Sequence, residues 1–215
     1  VYWIRISRKS IMLLSDYKRK LPKVVYIFGS GASLDYYPKN HWDRKFTVGV
    51  NMAYKFDSHL DAIVVSHRTH IKDIQSNHSH LDLFVSRYDS TIKSKGLNEV
   101  DESSAYIYDS LGDTGHKVIP DTSLMHKPID NTVITCGDTV CRAIGVFAYL
   151  GVKEIRLVGC DGKSGYNGNI NRKGYYTSSV SPSITIGHAM RSMIGKNHMI
   201  KELRQYGINI KFKKP

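Results

Sequence analysis

The strongest constraint on the fold is Val24-Val25-Tyr26-Ile27-Phe28 running into Gly29-Ser30-Gly31-Ala32-Ser33-Leu34. Five β-branched and aromatic residues predict a buried strand, which breaks into a tight loop and then a helix start. Glycine tolerates positive φ and lets another group come close to the backbone, so Gly29 and Gly31 suit such a loop. Ser30 and Ser33 are residues that cap a helix or donate a hydroxyl. Free N–H groups at a turn of this kind attract phosphate or carboxylate. The expectation is a nucleotide or other phosphorylated ligand above the loop. It is not the dinucleotide fingerprint. Leu34 stands where a third glycine belongs, and the second strand, Phe46-Thr47-Val48-Gly49-Val50, ends in Asn51 rather than an acid. A Walker lysine is also missing from the loop.

At 215 residues, 41% hydrophobic and 23% charged, the chain is sized and balanced for one domain with a substantial core. No stretch is apolar for long enough to span a bilayer as a helix, and no cleavable leader is read at Val1-Tyr2-Trp3. Cys136, Cys141 and Cys160, odd in number and without metal-ligand spacing, predict reduced thiols and a cytoplasmic protein. Cys136 and Cys141 are expected in the core and Cys160 in packing beside the site. His67, His70, His78 and His80 lack clear further ligands, and no metal site is assigned. The net charge of +12 points to polyanions. Arg5, Arg8, Lys9, Lys18, Arg19, Lys20 and Lys23 near one end and Lys211, Lys213 and Lys214 at the other suit an anionic membrane surface as readily as nucleic acid.

Residues 1–22 are expected to be a helical addition, with Ile11 to Leu14 and Tyr17 on one face, ahead of a single domain over 23–215. Further strands are expected at 61–66, 81–86, 154–159 and 208–212, with short candidates at 105–108 and 117–119. Helices are expected at 68–76, from Thr139 to a stop at Gly151, and from Ile186-Gly187-His188 to about Tyr206, ended by Gly207. About 87–130 reads as a variable insert or lid, and 162–181 as a loop rich in glycine, asparagine and tyrosine. Alternating strands and helices predict an α/β protein with a mostly parallel sheet and helices on both faces. Ligands of such sheets bind at the carboxyl ends of the strands, where Ser30, Asn51, Ser66 and Asp161 would gather.

Four stretches in order, Phe28 to Leu34, Val48 to Asn51, Ile134 to Asp161 and Ile186 to His188, give the chain a family resemblance. It resembles the bacterial CMP-sialic acid-dependent sialyltransferases of the Campylobacter and Haemophilus type. It also resembles the wider Rossmann-like group that contains the 6-hydroxymethylpterin diphosphokinases. The resemblance covers about two-thirds of the chain, the sheet scaffold that the α/β pattern predicts. It implies His188 as general base, a role imidazole fills near neutral pH. It implies that Gly29, Ser30, Gly31, Ser33, Asn51, Thr135, Gly137 and Asp161 line the donor site, where sheet topology also places Ser66. Tyr166, Tyr175 and Tyr176 are its candidates for holding the leaving phosphate. The family usually carries asparagine at the position of Ser30, and an arginine where this chain has Asn131-Thr132-Val133.

The resulting expectation is a metal-independent, sialyltransferase-like glycosyltransferase. It would need no cofactor and would use a CMP-linked or other nucleotide-sugar donor with a glycan or lipid-linked acceptor, at the inner face of a membrane and open to oligomer formation. Two alternatives stand beside it. One is Mg²⁺- and ATP-dependent pyrophosphoryl transfer to a pterin-like substrate, with Asp138 and Asp161 as the carboxylates. The other is a non-catalytic domain that binds polyanions such as nucleic acid.

Overall fold

A computed structural model describes residues 12–29, 31–55, 59–66, 68–86, 102–111, 131–135, 138–160 and 182–213. The described strands are β1 (Met12–Leu13), β2 (Val24–Phe28), β3 (Thr47–Val50), β4 (Ala62–Val65), β5 (Asp82–Ser86), β6 (Tyr106–Leu111), β7 (Thr132–Ile134), β8 (Glu154–Val158) and β9 (Asn209–Phe212). The helices are α1 (Arg68–Asn77), α2 (Thr139–Tyr149) and α3 (Pro182–Gln205). They build one sheet in the order β1-β6-β5-β4-β3-β2-β8-β9, every pairing parallel. This is the expected Rossmann-like α/β architecture. Chain order reverses at β2, which runs between β3 on one side and β8 on the other, so the topological switch point falls between β2 and β8.

Strand alternation supplies both faces with apolar side chains. Val25, Ile27, Val48, Val64, Ile155 and Leu157 face a cluster with Ile144, Phe147, Met199 and Leu203 from α2 and α3. Tyr26, Phe28, Ile63, Val65, Leu83 and Val158 face the other way, against Trp42, Tyr54 and Ile71 and Ile74 of α1. Asp138 caps α2 by accepting the Cys141 N–H at 2.7 Å. Gly151, at φ +85°, and Gly207, at φ +75°, follow α2 and α3 in the left-handed conformation that ends a helix.

Two features differ from the expectation, and one short strand candidate is borne out. The described part of residues 1–22 is no helical face: Met12–Leu13 is an edge strand on β6, followed by a single 3-10 turn, Leu14–Asp16. Tyr17 explains this, since its ring packs on Phe84 and Tyr106 and holds the segment against the sheet. Within the span 87–130 the short candidate at 105–108 is borne out as β6, the partner of β1, β5 and β7. The strand β7 was not expected. It pairs with Asp109–Leu111 where β1 leaves off, and the Leu14 N–H donates to Asn131 Oδ1 at 2.6 Å at that junction. The candidate strand at 117–119 and the loop at 162–181 lie outside the described residues.

Arg19 ties the amino ends of two strands together, with Nη2 2.6 Å from Asp61 Oδ1 and Nη1 3.1 Å from Asp82 Oδ2. Among the described residues no helix is long and apolar enough to cross a membrane.

Candidate functional site

The glycine loop behaves differently from the sequence expectation. Gly31 is extended at φ −73°, and Gly29 is not among the residues with positive φ. Their N–H groups are already used: Gly29 donates to Val158 O at 2.8 Å and Gly31 to Gly159 O at 2.7 Å, which carries the β2–β8 ladder past the strand ends. These two amides therefore do not cradle a phosphate. Glycine is required here for closeness, because a Cβ on Gly29 would stand 2.3 Å from Gly159 O. Ser33 is the second residue of a five-residue 3-10 turn, Ala32–Tyr36, whose N-cap is Gly31. Leu34, fully buried, fills the space over Gly159, where a Cβ would meet Leu34 Cγ at 2.6 Å. The space that a dinucleotide-binding loop opens with its third glycine is here opened by Gly159 on the neighbouring strand.

One strand further on, the carboxyl ends of β3 and β4 meet the start of α2. Asn51 follows β3 in the left-handed region at φ +47°, a conformation that asparagine adopts more readily than most residues. Its Oδ1 accepts the Ser66 N–H at 3.0 Å, and its Nδ2 donates to Thr139 Oγ1 at 2.9 Å. The Ser66 and Thr139 hydroxyls are 2.8 Å apart and hydrogen-bonded. The second Nδ2 hydrogen of Asn51 has no partner among the described residues, so a fixed carboxamide presents a donor at the edge where parallel sheets bind ligands. All three side chains are partly exposed. The sequence pointed to Asn51 and Ser66 and missed Thr139, although Asp138-Thr139 at the polar start of an apolar helix was the signal available.

The two long helices fix a second feature. Lys196 of α3 is 6% exposed, and its Nζ lies 3.5 Å from Asp138 Oδ2, so the carboxylate that caps α2 also holds α3. Because α3 enters after β8 and leaves into β9, it runs opposite to the strands, and its first turns lie toward the carboxyl edge. His188 is the seventh residue of α3, which begins at Pro182, ahead of the expected start at Ile186-Gly187-His188. It precedes Lys196 by eight positions, about 12 Å along the axis. The overhang of α3 thus carries the backbone at His188 beyond the level of the α2 start, toward the carboxyl edge.

Thr135 follows β7, is fully buried, and its hydroxyl has no hydrogen-bond partner among the described residues. It is not joined to the Asn51 cluster. Cys141 and Cys160 are buried, as expected, while Cys136 lies outside the described residues. Ser30, Gly137, Asp161, Tyr166, Tyr175 and Tyr176 lie outside the described residues. Among those described, no three His, Cys, Asp or Glu side chains gather in a metal-binding group.

The fold and this edge define a parallel α/β protein of Rossmann-like type, with a polar cluster at the carboxyl ends of β3 and β4. No protein-family model matches the chain, and no curated protein matches it in sequence.

Proposed function

We propose that the chain is a glycosyltransferase that binds a nucleotide-activated sugar, in the first instance a CMP-linked one, at the carboxyl edge of β3 and β4. The observation that carries this reading is the locked Asn51 carboxamide, held at both ends by Ser66 and Thr139, with one donor that has no partner among the described residues. A side chain fixed in this way binds a polar nucleotide group without losing rotamer freedom at the moment of binding. The overhang of α3 supports His188 as the base. It would accept the acceptor hydroxyl's proton while the new carbon–oxygen bond forms and the bond to the nucleotide phosphate breaks. The resemblance stated above supplies the donor class. Lipid-linked or glycan acceptors suit the basic composition.

The test is a thermal-shift panel of CMP, CDP, UDP, GDP, ADP and ATP, each with Mg²⁺ and with chelator. A ligand that binds the folded state alone raises stability with its concentration. The expected result is stabilisation by a cytidine nucleotide in chelator, lost in Asn51→Ala. Stabilisation by ATP with Mg²⁺ alone would replace this reading with pyrophosphoryl transfer, and a flat panel would overturn it.

A further inference from the structure

The opposite edge of the sheet carries a second site. Pro22, Phe46 and Asp61 immediately precede, or lie within two residues of, the starts of β2, β3 and β4, and together with Trp42, Arg44 and Lys45 they line a cleft of about 550 Å³. That volume is in the range of small-molecule sites. Phe46 and Asn51 are five positions apart, about 16 Å of extended chain, so the cleft is distinct from the carboxyl edge.

The charges around the cleft are unequal. Asp61 is engaged in holding the fold: one oxygen takes Arg19 at 2.6 Å and the other takes the Thr47 N–H at 2.9 Å. Glu154 is likewise engaged by Arg156 at 2.6 Å. Among the described residues that line the cleft, Asp43 is the remaining carboxylate. Arg44 is exposed, makes no hydrogen bond or ion pair among the described residues, and is held at φ +62°, a region costly for arginine. The Lys45 ammonium lies 5.1 Å from the Trp42 ring centroid and 5.6 Å from that of Tyr26, and it donates to His41 O. The Arg156 guanidinium lies 5.4 Å from the same Tyr26 ring, so two cations share one aromatic. Burial, then Lys213 and Arg156, pushes the Lys45 ammonium below its ordinary range. Like charges crowded in this way favour a bound anion. Trp42, 4% exposed, lines the same cleft, and its indole N–H has no acceptor among the described residues.

We propose that this amino-edge cleft binds a phosphate-bearing ligand, its anion between Arg44 and Lys45 and its less polar part against Trp42 and Phe46. A guanidinium beside an ammonium matches a multiply charged oxyanion, the first through two parallel donors and the second as a point charge. The site is independent of the transferase reading.

The experiment is isothermal titration of the full chain at 0.15 M salt with pyrophosphate in one arm and with phosphatidylglycerol vesicles in the other. Phosphatidylcholine vesicles are the blank. Binding in the first arm identifies a free phosphate ligand, and binding in the second alone identifies a lipid headgroup; both support the site. Arg44→Gly removes the charge and relieves the left-handed strain, so the fold is retained, and affinity is expected to fall at least tenfold. Lys45→Met keeps the stem over Trp42 and is expected to fall similarly, while Asp43→Asn should strengthen binding a few-fold. Absence of binding in both arms, or binding indifferent to Arg44→Gly and Lys45→Met, overturns the proposal.

Discussion

Gly29 and Gly159 stand so close that a methyl group on Gly29 would lie 2.3 Å from the Gly159 carbonyl oxygen and 3.0 Å from Cys160 Sγ. The first contact is with backbone, which cannot swing aside without breaking the Gly29–Val158 and Gly31–Gly159 hydrogen bonds. Gly29→Ala is therefore expected to destabilise the fold by about 3 kcal/mol. Gly151→Ala is the control. Gly151 has φ +85° with nothing within 4 Å of the added carbon, so only conformational strain of about 1 kcal/mol applies. Urea unfolding of the two variants, compared by midpoint, separates steric collision from strain. Equal losses would contradict the close approach.

That contact also shows how much could be read beforehand. The strand–glycine grammar around Phe28-Gly29 is local, and it predicted β2, while the alternation of strands and helices predicted the parallel sheet. The reason for the glycines was not local. Which amides stay free depends on β8, about 130 residues away, and no pattern within 29–34 states that Val158 O and Gly159 O will take them. Thr139 and Lys196 were hidden for the same reason, since each acquires its meaning from a residue on another element. The edge strands β1 and β7, two and three residues long, are too short for any periodicity to emerge. Asn51 and Ser66 were legible because a polar residue ending an apolar strand of a parallel sheet is placed by topology alone.

Asn51 combines a backbone role with a side-chain role, and two substitutions divide them. Asn51→Gly keeps the left-handed conformation at no steric cost and removes the carboxamide, whereas Asn51→Ala removes the carboxamide and adds strain. Alanine is expected to be less stable than glycine by about 1 kcal/mol. Both variants should lose nucleotide-dependent stabilisation to the same degree. A glycine variant that still binds nucleotide as the parent does would remove Asn51 from the donor site.

Asp138 holds two partners, the α2 N-terminus through Oδ1 and Lys196 through Oδ2. Asp138→Asn retains a capping oxygen but discharges the partner of a nearly buried ammonium. Asp138→Ala loses both. The cap contributes about 1 kcal/mol, and leaving Lys196 without its counter-charge adds a further cost of about 1–3 kcal/mol. The order of stability is expected to be parent, then asparagine, then alanine. In a Lys196→Met background the loss caused by Asp138→Asn should shrink, which a double-mutant cycle measures.

Acid stability should depend on Tyr54. Its hydroxyl donates to Asp73 Oδ2 at 2.5 Å and, with Asn77 donating to Oδ1 at 2.8 Å, holds the Asp73 carboxyl below its ordinary value. A carboxyl depressed in the folded state contributes stability that is complete above the unfolded value near 4. That contribution is lost as pH falls through the lower folded value. Tyr54→Phe should reduce stability at pH 7 and flatten the loss below pH 4, by less than 1 kcal/mol because the carboxylate is partly solvated. Unfolding free energies of parent and variant from pH 7 to 2 should converge at the acid end. Parallel curves would mean that the hydrogen bond does not perturb Asp73.

The Ser66–Thr139 pair tests whether the carboxyl-edge cluster acts as one unit. Thr139 Oγ1 meets both the Asn51 amide and the Ser66 hydroxyl, so Thr139→Val withdraws a partner from each while keeping the β-branched shape. Ser66→Ala withdraws only one hydroxyl, and the Ser66 backbone N–H continues to donate to Asn51 Oδ1. Thr139→Val is expected to cost about 1–2 kcal/mol and Ser66→Ala about 1 kcal/mol. The double variant should cost less than the sum, because the second substitution removes a group that the first has already stranded. In nucleotide titrations Thr139→Val should weaken binding more than Ser66→Ala, since among the described residues Thr139 is what fixes the donating end of Asn51. Additive stability losses together with undisturbed nucleotide binding would show three neighbouring polar residues rather than a preorganised site.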